Sequence, residues 1–221
     1  MKNNIKWIFF DIGGVLRDEE KYDIWRKKTL ISYSKKFKSE ITESDFNQAY
    51  LEASKSSGWL NQNILEILTG DKEKAEKIRN DVNFQCEKEK VLSSLPIMQN
   101  ALNVVENLSK NYSLGIISNQ QANIKDWLKL ENLLDYFKVL GISGDYGLQK
   151  PNPEFFTTIL NEANATFQES VMIDDNIERS LLTAKQLGIT TVFFNNTNRQ
   201  DIPKNIVDFT IYSLTDLLKI F

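Results

Sequence analysis

The stretch Lys6-Trp7-Ile8-Phe9-Phe10-Asp11-Ile12-Gly13-Gly14 decides the fold of this chain. An apolar, aromatic run over 6–10 stops abruptly at a carboxylate and enters a glycine pair. That pattern predicts a buried strand followed by a tight turn. Four more short apolar stretches have the same character: Ser113–Ile117, Val139–Ser143, Val171–Ile173 and Thr191–Phe194. Such runs suit strands covered on both faces, as in a parallel sheet. A weaker strand is expected at Phe209–Tyr212, then a short helix from Leu214 with Ser213 as its N-cap.

Helical periodicity fills the gaps between these strands. Ala101, Leu102, Val105 and Leu108 are expected to share one face, as are Phe155, Phe156, Ile159, Leu160 and Ala163. Ile177, Leu181, Leu182 and Ala184–Leu187 form a third such face, with Gly188 as a stop. Strands alternating with helices predict an α/β fold, a doubly wound parallel sheet.

Residues 19 to about 92 contain no strand-like run. Tyr22, Trp25, Tyr33 and Phe37 fit one helix face; Phe46, Ala49, Tyr50 and Ala53 a second, with Thr42 and Ser44 as candidate N-caps. Leu60, Ile64, Ile67 and Leu68 fit a third helix, stopped by Gly70, and Ala75, Ile78, Val82 and Cys86 a fourth. The expected organisation is a core domain of residues 1–17 and 93–221 interrupted by an all-helical domain of residues 18–92.

The composition narrows the chemistry. The chain has 221 residues and a net charge of -3, with no basic excess that would suit nucleic acid or a membrane surface. No apolar run is long enough for a membrane span or a leader peptide, so the expected location is the cytoplasm. The one cysteine, Cys86, excludes an intramolecular disulfide and a cysteine zinc site. The absence of histidine removes serine and cysteine triads, histidine-ligated zinc and a histidine general base. What remains is chemistry by carboxylates, lysine, hydroxyls, amides and a hard cation held by oxygen. No obligate protein partner is evident.

In an open α/β sheet, ligands bind beyond the carboxyl ends of the strands. Those ends carry Asp11, Gly13 and Gly14; Ser118, Asn119 and Gln120; Lys150-Pro151; and Asp174, Asp175 and Asn176. Three carboxylates could hold a divalent cation through oxygen. A lysine and a hydroxyl could hold the oxygens of an anion. An aspartate set between the two can accept a phosphoryl group. Taken singly, these residues have plainer readings: Asp174-Asp175-Asn176 as a helix N-cap, Ser118-Asn119 as turn chemistry, Lys150 as a solvated lysine. The glycine pair is neither a dinucleotide nor a Walker fingerprint.

The segments FFDIGGVLRD at 9–18, ISN at 117–119, GDYGLQKPNPEFF at 144–156 and MIDDN at 172–176 resemble, in order, the four motifs of haloacid-dehalogenase-like (HAD-like) hydrolases. The helical insert lies where that superfamily carries its C1-type cap. The resemblance implies a Rossmann-like core and Asp11 as nucleophile. It implies Asp11, the Gly13 carbonyl, Asp175 and Asp174 about a Mg²⁺ ion. It also implies Ser118, Asn119, Lys150 and Gly14 about the phosphoryl group, with Ser118 and Lys150 as catalytic partners, and a turn after Asp11 that couples cap movement to closure. The expected activity is a Mg²⁺-dependent phosphatase of a small phosphorylated metabolite, such as a sugar phosphate, working through an aspartyl phosphate.

One departure bears on that activity. Phosphatases of the superfamily usually carry an acid–base aspartate two residues after the nucleophile, where this chain has Gly13. Losing such a group typically costs about 10²–10⁴-fold in rate. Some sugar-phosphate phosphatases of the superfamily also resemble this chain in having glycine there. The competing readings are a metal-free 2-haloacid dehalogenase and a vestigial phosphate- or metal-binding regulatory protein. The basic first insert helix, with Lys21, Arg26, Lys27, Lys28, Lys35, Lys36 and Lys38, is expected to be a solvated face balanced by Asp18, Glu19, Glu20 and Asp23.

Overall fold

The computed structural model describes residues 4–221. Met1 to Asn3, part of the amino-terminal stretch in which no leader was expected, lie outside the described residues. The chain divides into two compact units: the chain up to Asp18 together with Ile97–Phe221, and Glu19–Pro96.

The first unit is built on β1 (Trp7–Phe10). The second begins its helices with α1 (Glu20–Ser34), α2 (Glu43–Ser54), α3 (Leu60–Thr69) and α4 (Lys72–Lys88). The first unit resumes with α5 (Ala101–Ser109), β2 (Ser113–Ser118), α6 (Ile124–Leu130), β3 (Phe137–Ile142), α7 (Ser143–Tyr146) and α8 (Pro153–Glu162). It ends with β4 (Ser170–Asp174), a π turn at Ile177–Leu181 leading into α9 (Leu182–Gln186), β5 (Thr190–Phe194), β6 (Phe209–Ile211) and α10 (Leu217–Ile220).

All strand pairings are parallel, in the order β3-β2-β1-β4-β5-β6. The sheet is doubly wound, as expected of an α/β fold. Successive strand residues point to opposite faces, and two apolar cores result. Ile8, Phe10, Ile116 and Ile173 join one with Val104, Val105, Trp127 and Leu217. Phe9, Ile117, Met172 and Phe193 join the other with Phe155, Phe156, Ile159 and Leu181. Gly115 is a close approach: a Cβ there would lie 2.6 Å from the Phe9 ring.

Several local expectations are corrected. In α5 the buried face is Ala101, Val104, Val105 and Leu108, and Leu102 turns outward; these are the i, i+3, i+4 and i+7 positions of one stripe. In α3, Leu65 joins Ile64 and Leu68 inside, whereas Ile67 is exposed. Thr42, not Ser44, caps α2, because it forms a reciprocal capping box with Asp45. Helix α1 ends at Ser34, so Phe37 lies beyond it and is exposed. The helix over 177–187 is not uniform: its first turn is the π turn, which Asn176 caps through its side-chain oxygen by accepting from the Arg179 amide at 2.9 Å.

The unit boundaries also shift from 17/18 and 92/93 to 18/19 and 96/97. The short 3-10 turn Leu92–Ser94 and the residues up to Pro96 stay with the helices. The chain rejoins the first unit where Ile97 bridges Arg17 and the Met98 amide donates to the Leu16 carbonyl at 2.8 Å. Within the helical unit, Leu30, Phe46, Ala49, Ile64, Leu65, Ala75, Ile78 and Val82 form the core. Trp25, Tyr33 and Tyr50 pack against it, and Trp59 sits exposed at the α3 N-cap. Arg26 leaves the solvated lysine face: its guanidinium lies between the Tyr22 and Tyr50 rings, 5.4 Å from each centroid.

Candidate active site

The central strand β1 delivers Asp11 at its carboxyl end, where the Asp11 amide donates to the Ile173 carbonyl of β4 at 3.0 Å. The turn that follows is tightly closed. The amides of Val15, Leu16 and Arg17 all donate to the Ile12 carbonyl, and the Gly14 amide donates to the Arg17 carbonyl at 3.0 Å. Ile12, Val15 and Leu16 are fully buried and anchor the turn from below.

Strand β4 delivers the other carboxylates. Oxygens of Asp11, Asp174 and Asp175 lie within 4.8 Å of one another. The Asp174 Oδ1 accepts from the Asn176 amide at 2.9 Å, which fixes the start of the turn. Gly14 has a φ of 72°, and a Cβ on it would meet Asp175 Oδ2 at 2.0 Å. Only glycine therefore lets the two turns approach this closely.

Lys150 enters from the loop before α8. Its side chain is 3% exposed, and its ammonium lies 2.6 Å from Asp174 Oδ2 and 3.1 Å from Asp11 Oδ1. Burial acts to lower the lysine's pKa, but the two carboxylates outweigh it and hold the ammonium above its ordinary value. Burial pushes Asp174 above the usual carboxylate range, with Lys150 opposing and Asp11 adding to the rise. Asp11 Oδ1 is shielded from solvent, and among the described residues it meets the Lys150 ammonium as an ion pair rather than a well-aligned hydrogen bond.

Ser118 and Asn119 end β2, beside β1. Ser118 is fully buried, and its Oγ accepts from the Ile12 amide at 3.4 Å. Asn119 grips the backbone of Lys150: its Nδ2 donates to the Lys150 carbonyl at 2.9 Å, and its Oδ1 accepts from the Lys150 amide at 2.8 Å. Asn119 thus sets where the lysine stands. Asp11, Ser118, Asn119, Lys150, Asp174 and Asp175 come together, with Gly14 wedged against Asp175; Gly13 lies in the turn and bridges Arg17.

Other residues at this edge are given no role from the sequence. Arg17 is buried, donates to Gln120 Oε1 at 3.2 Å and stacks 5.7 Å from the Trp127 centroid. Asn196 donates to the Gly14 carbonyl at 3.0 Å from a loop 182 positions away. Arg199 clamps Glu178 in the π turn through two bonds, at 3.0 and 2.8 Å. Pairings between loops so distant in sequence follow from strand order, which single-residue patterns do not encode.

A doubly wound core with an acidic cluster and a buried lysine at the carboxyl ends of its central strands defines a hydrolase-type site. The chain belongs to the haloacid dehalogenase-like hydrolases, whose family profile matches residues 8–194. Over 110 residues it is 29% identical to a glyceraldehyde 3-phosphate phosphatase of Pyrococcus furiosus, covering 49% of this chain and 45% of that enzyme. The chain thus spans less than half the length of that curated relative. A crystal structure of a HAD phosphatase from Thermococcus onnurineus matches with a TM-score of 0.67 and 26% identity, over 98% of this chain and 97% of that one. A 2-haloacid dehalogenase from Pseudomonas syringae pv. Tomato DC3000 matches with a TM-score of 0.63 and 19% identity, over 98% and 97%. That likeness shows the fold alone.

Proposed function

We infer that the protein is a Mg²⁺-dependent phosphatase of a small phosphorylated metabolite, with Asp11 as the nucleophile. The observation that carries this reading is the buried Lys150 ammonium shared by Asp11 and Asp174, beside a third carboxylate from Asp175. A dehalogenase that needs no metal has little use for three carboxylates packed together, since their mutual repulsion is costly unless a cation offsets it.

The donor set fits a hard cation: three carboxylates whose oxygens converge within 4.8 Å of one another. Asp11, Asp175 and the Gly13 carbonyl would hold it, with Asp174 alongside. When bound, it would offset the repulsion between the Asp11 carboxylate and a phosphate dianion.

Asp11 attacks phosphorus, the P–O bond to the leaving alcohol breaks, and an aspartyl phosphate forms. Lys150 holds Asp11 in place and neutralises a phosphoryl oxygen; the Ser118 hydroxyl and the Gly14 turn line the same end of β1 and β2. Water then cleaves the acyl phosphate and releases phosphate. Gly13 offers no side chain to protonate the leaving oxygen, so turnover favours substrates with good leaving groups. The named substrate of the Pyrococcus furiosus relative makes a triose phosphate the first metabolite to assay.

The test is phosphate release from an aryl phosphate and from glyceraldehyde 3-phosphate, with and without Mg²⁺, beside Asp11→Asn. Magnesium-dependent release that disappears in the variant supports the reading. Release that persists in Asp11→Asn overturns it. Metal-free chloride release from a 2-haloacid would point to the dehalogenase. A Mg²⁺-induced melting shift with no turnover on any substrate would point to a binding protein.

A further inference from the structure

We propose that the loop after β5 is a positioning strap: through Asn196 and Arg199 it ties the Asp11 turn to the Asp175 turn and so sets the affinity of the acidic cluster for its cation. This rests on the metal-dependent reading above.

The strap has two arms. The first reaches the turn that follows the nucleophile: the Asn196 side-chain amide donates to the Gly14 carbonyl at 3.0 Å. The second reaches the π turn that follows Asp175: the Arg199 guanidinium donates to both oxygens of Glu178, at 3.0 and 2.8 Å. A two-pronged arginine–carboxylate pair resists rotation as well as separation. Neither Asn196 nor Arg199 belongs to the cluster of Asp11, Asp174 and Asp175, so both act by position.

The loop between the arms is itself held. Asn195 is 2% exposed; its Nδ2 donates to the Arg199 carbonyl at 2.9 Å and its Oδ1 accepts from the Arg199 amide at 2.7 Å. The Asn195 amide donates to the Ile211 carbonyl at 2.9 Å, which fixes the loop to β6. Asn198 takes a φ of 56°, a left-handed turn that asparagine tolerates, and the chain doubles back. Arg199 Nε donates to the Asp201 carbonyl at 3.2 Å, which splints the guanidinium on its far side.

The two turns that the strap joins are those that face each other across the Gly14–Asp175 contact. Fixing both backbones fixes the spacing of the Asp11 and Asp175 carboxylates. Groups that orient metal ligands from behind typically alter metal affinity by about 10–100-fold when removed. Asn196 is exposed, and the Arg199–Glu178 pair keeps 24% and 21% of its side chains exposed at the edge of the sheet, outside both apolar cores, so metal-free melting reads any folding contribution directly. A folding role and a positioning role are therefore separable.

The experiment uses the full chain, Asn196→Ala, Arg199→Ala and the double variant. Metal binding is read as the Mg²⁺-induced melting shift and by Mn²⁺ titration followed by electron paramagnetic resonance. Turnover of an aryl phosphate is read against Mg²⁺ concentration. Each single variant is expected to weaken metal binding about tenfold and to recover turnover at saturating Mg²⁺, with its metal-free melting temperature unchanged. Glu178→Ala should match Arg199→Ala, and combining the two should add nothing. Wild-type metal affinity in Asn196→Ala and Arg199→Ala would overturn the strap while leaving the phosphatase intact. A lowered metal-free melting temperature with unchanged metal affinity would overturn it in favour of a folding role. A wild-type protein that binds no metal would remove the metal-dependent reading, and the strap with it.

Discussion

The Asp175 carboxylate fills the space in which a side chain on Gly14 would stand: a Cβ there would lie 2.0 Å from Asp175 Oδ2. Gly14→Ala must therefore displace the carboxylate and also hold alanine at a left-handed φ of 72°. The backbone strain costs about 1–2 kcal/mol. Moving a reacting group by about 1 Å can cost about a hundredfold in rate. A modest fall in melting temperature with a far larger fall in phosphate release is expected, and equal turnover in both proteins would contradict it.

Lys150 sits buried between two carboxylates, so Lys150→Met leaves like charges facing each other without compensation. Breaking a buried pair from one side costs about 3–5 kcal/mol. Denaturant unfolding should show that loss. Added Mg²⁺ should recover part of it, because a cation bound to the folded state stabilises by mass action. A variant as stable as the parent in metal-free buffer would count against this account of Lys150.

Asp208 gives a pH signature away from the site. Burial acts to raise its carboxyl, but the Lys185 ammonium and the Thr191 amide outweigh it and hold the pKa below its ordinary value. A depressed folded-state pKa contributes stability above the unfolded value, about 3.9, that is lost as pH falls through the folded value. Asp208→Asn should cost about 1 kcal/mol at pH 7, after discounting for partial exposure. The gap between variant and parent should close below that unfolded value; a gap that stays constant down to acid would refute the assignment.

Leu65 and Ile67 separate inside from outside in α3. Leu65 is fully buried in the helical unit and Ile67 is 40% exposed. Leu65→Ala should cost about 2–5 kcal/mol, whereas Ile67→Ala should stay within about 0.5 kcal/mol. Hydrogen exchange resolved along the helical unit measures both, and comparable losses at the two positions would be inconsistent with the packing described.

Much of this architecture was legible because parallel strands covered on both faces leave continuous apolar runs. Phe9-Phe10 and Met172-Ile173 feed opposite cores, so neither face needs polar residues. The first two residues of β3 were missed because it is the edge strand: Phe137 is buried and Lys138 exposed, a start that does not read as an apolar run. Leu65 and Ile67 were interchanged because both are apolar in one short helix, and only packing chooses between them. The strand-end residues of the site stood out as polar stops after apolar runs. Asn119's grip on Lys150 did not, since an asparagine after a strand has the same sequence signature whether it touches a ligand or a neighbouring backbone. Asn196 and Arg199 lie in a polar loop with no periodicity at all.

The place of β1 in the middle of the sheet has a consequence for how the chain comes into being. Trp7 is in register with Ser113 on one side and with Ser170 on the other. As the chain leaves the ribosome, the strand bearing Asp11 is made long before either flank exists to cover its tryptophan and two phenylalanines. Contacts so far apart in sequence slow folding and leave apolar surface open to association. A nascent chain halted before Ser170 carries Asp11 but neither Asp174 nor Asp175, so the acidic cluster is completed only late in synthesis.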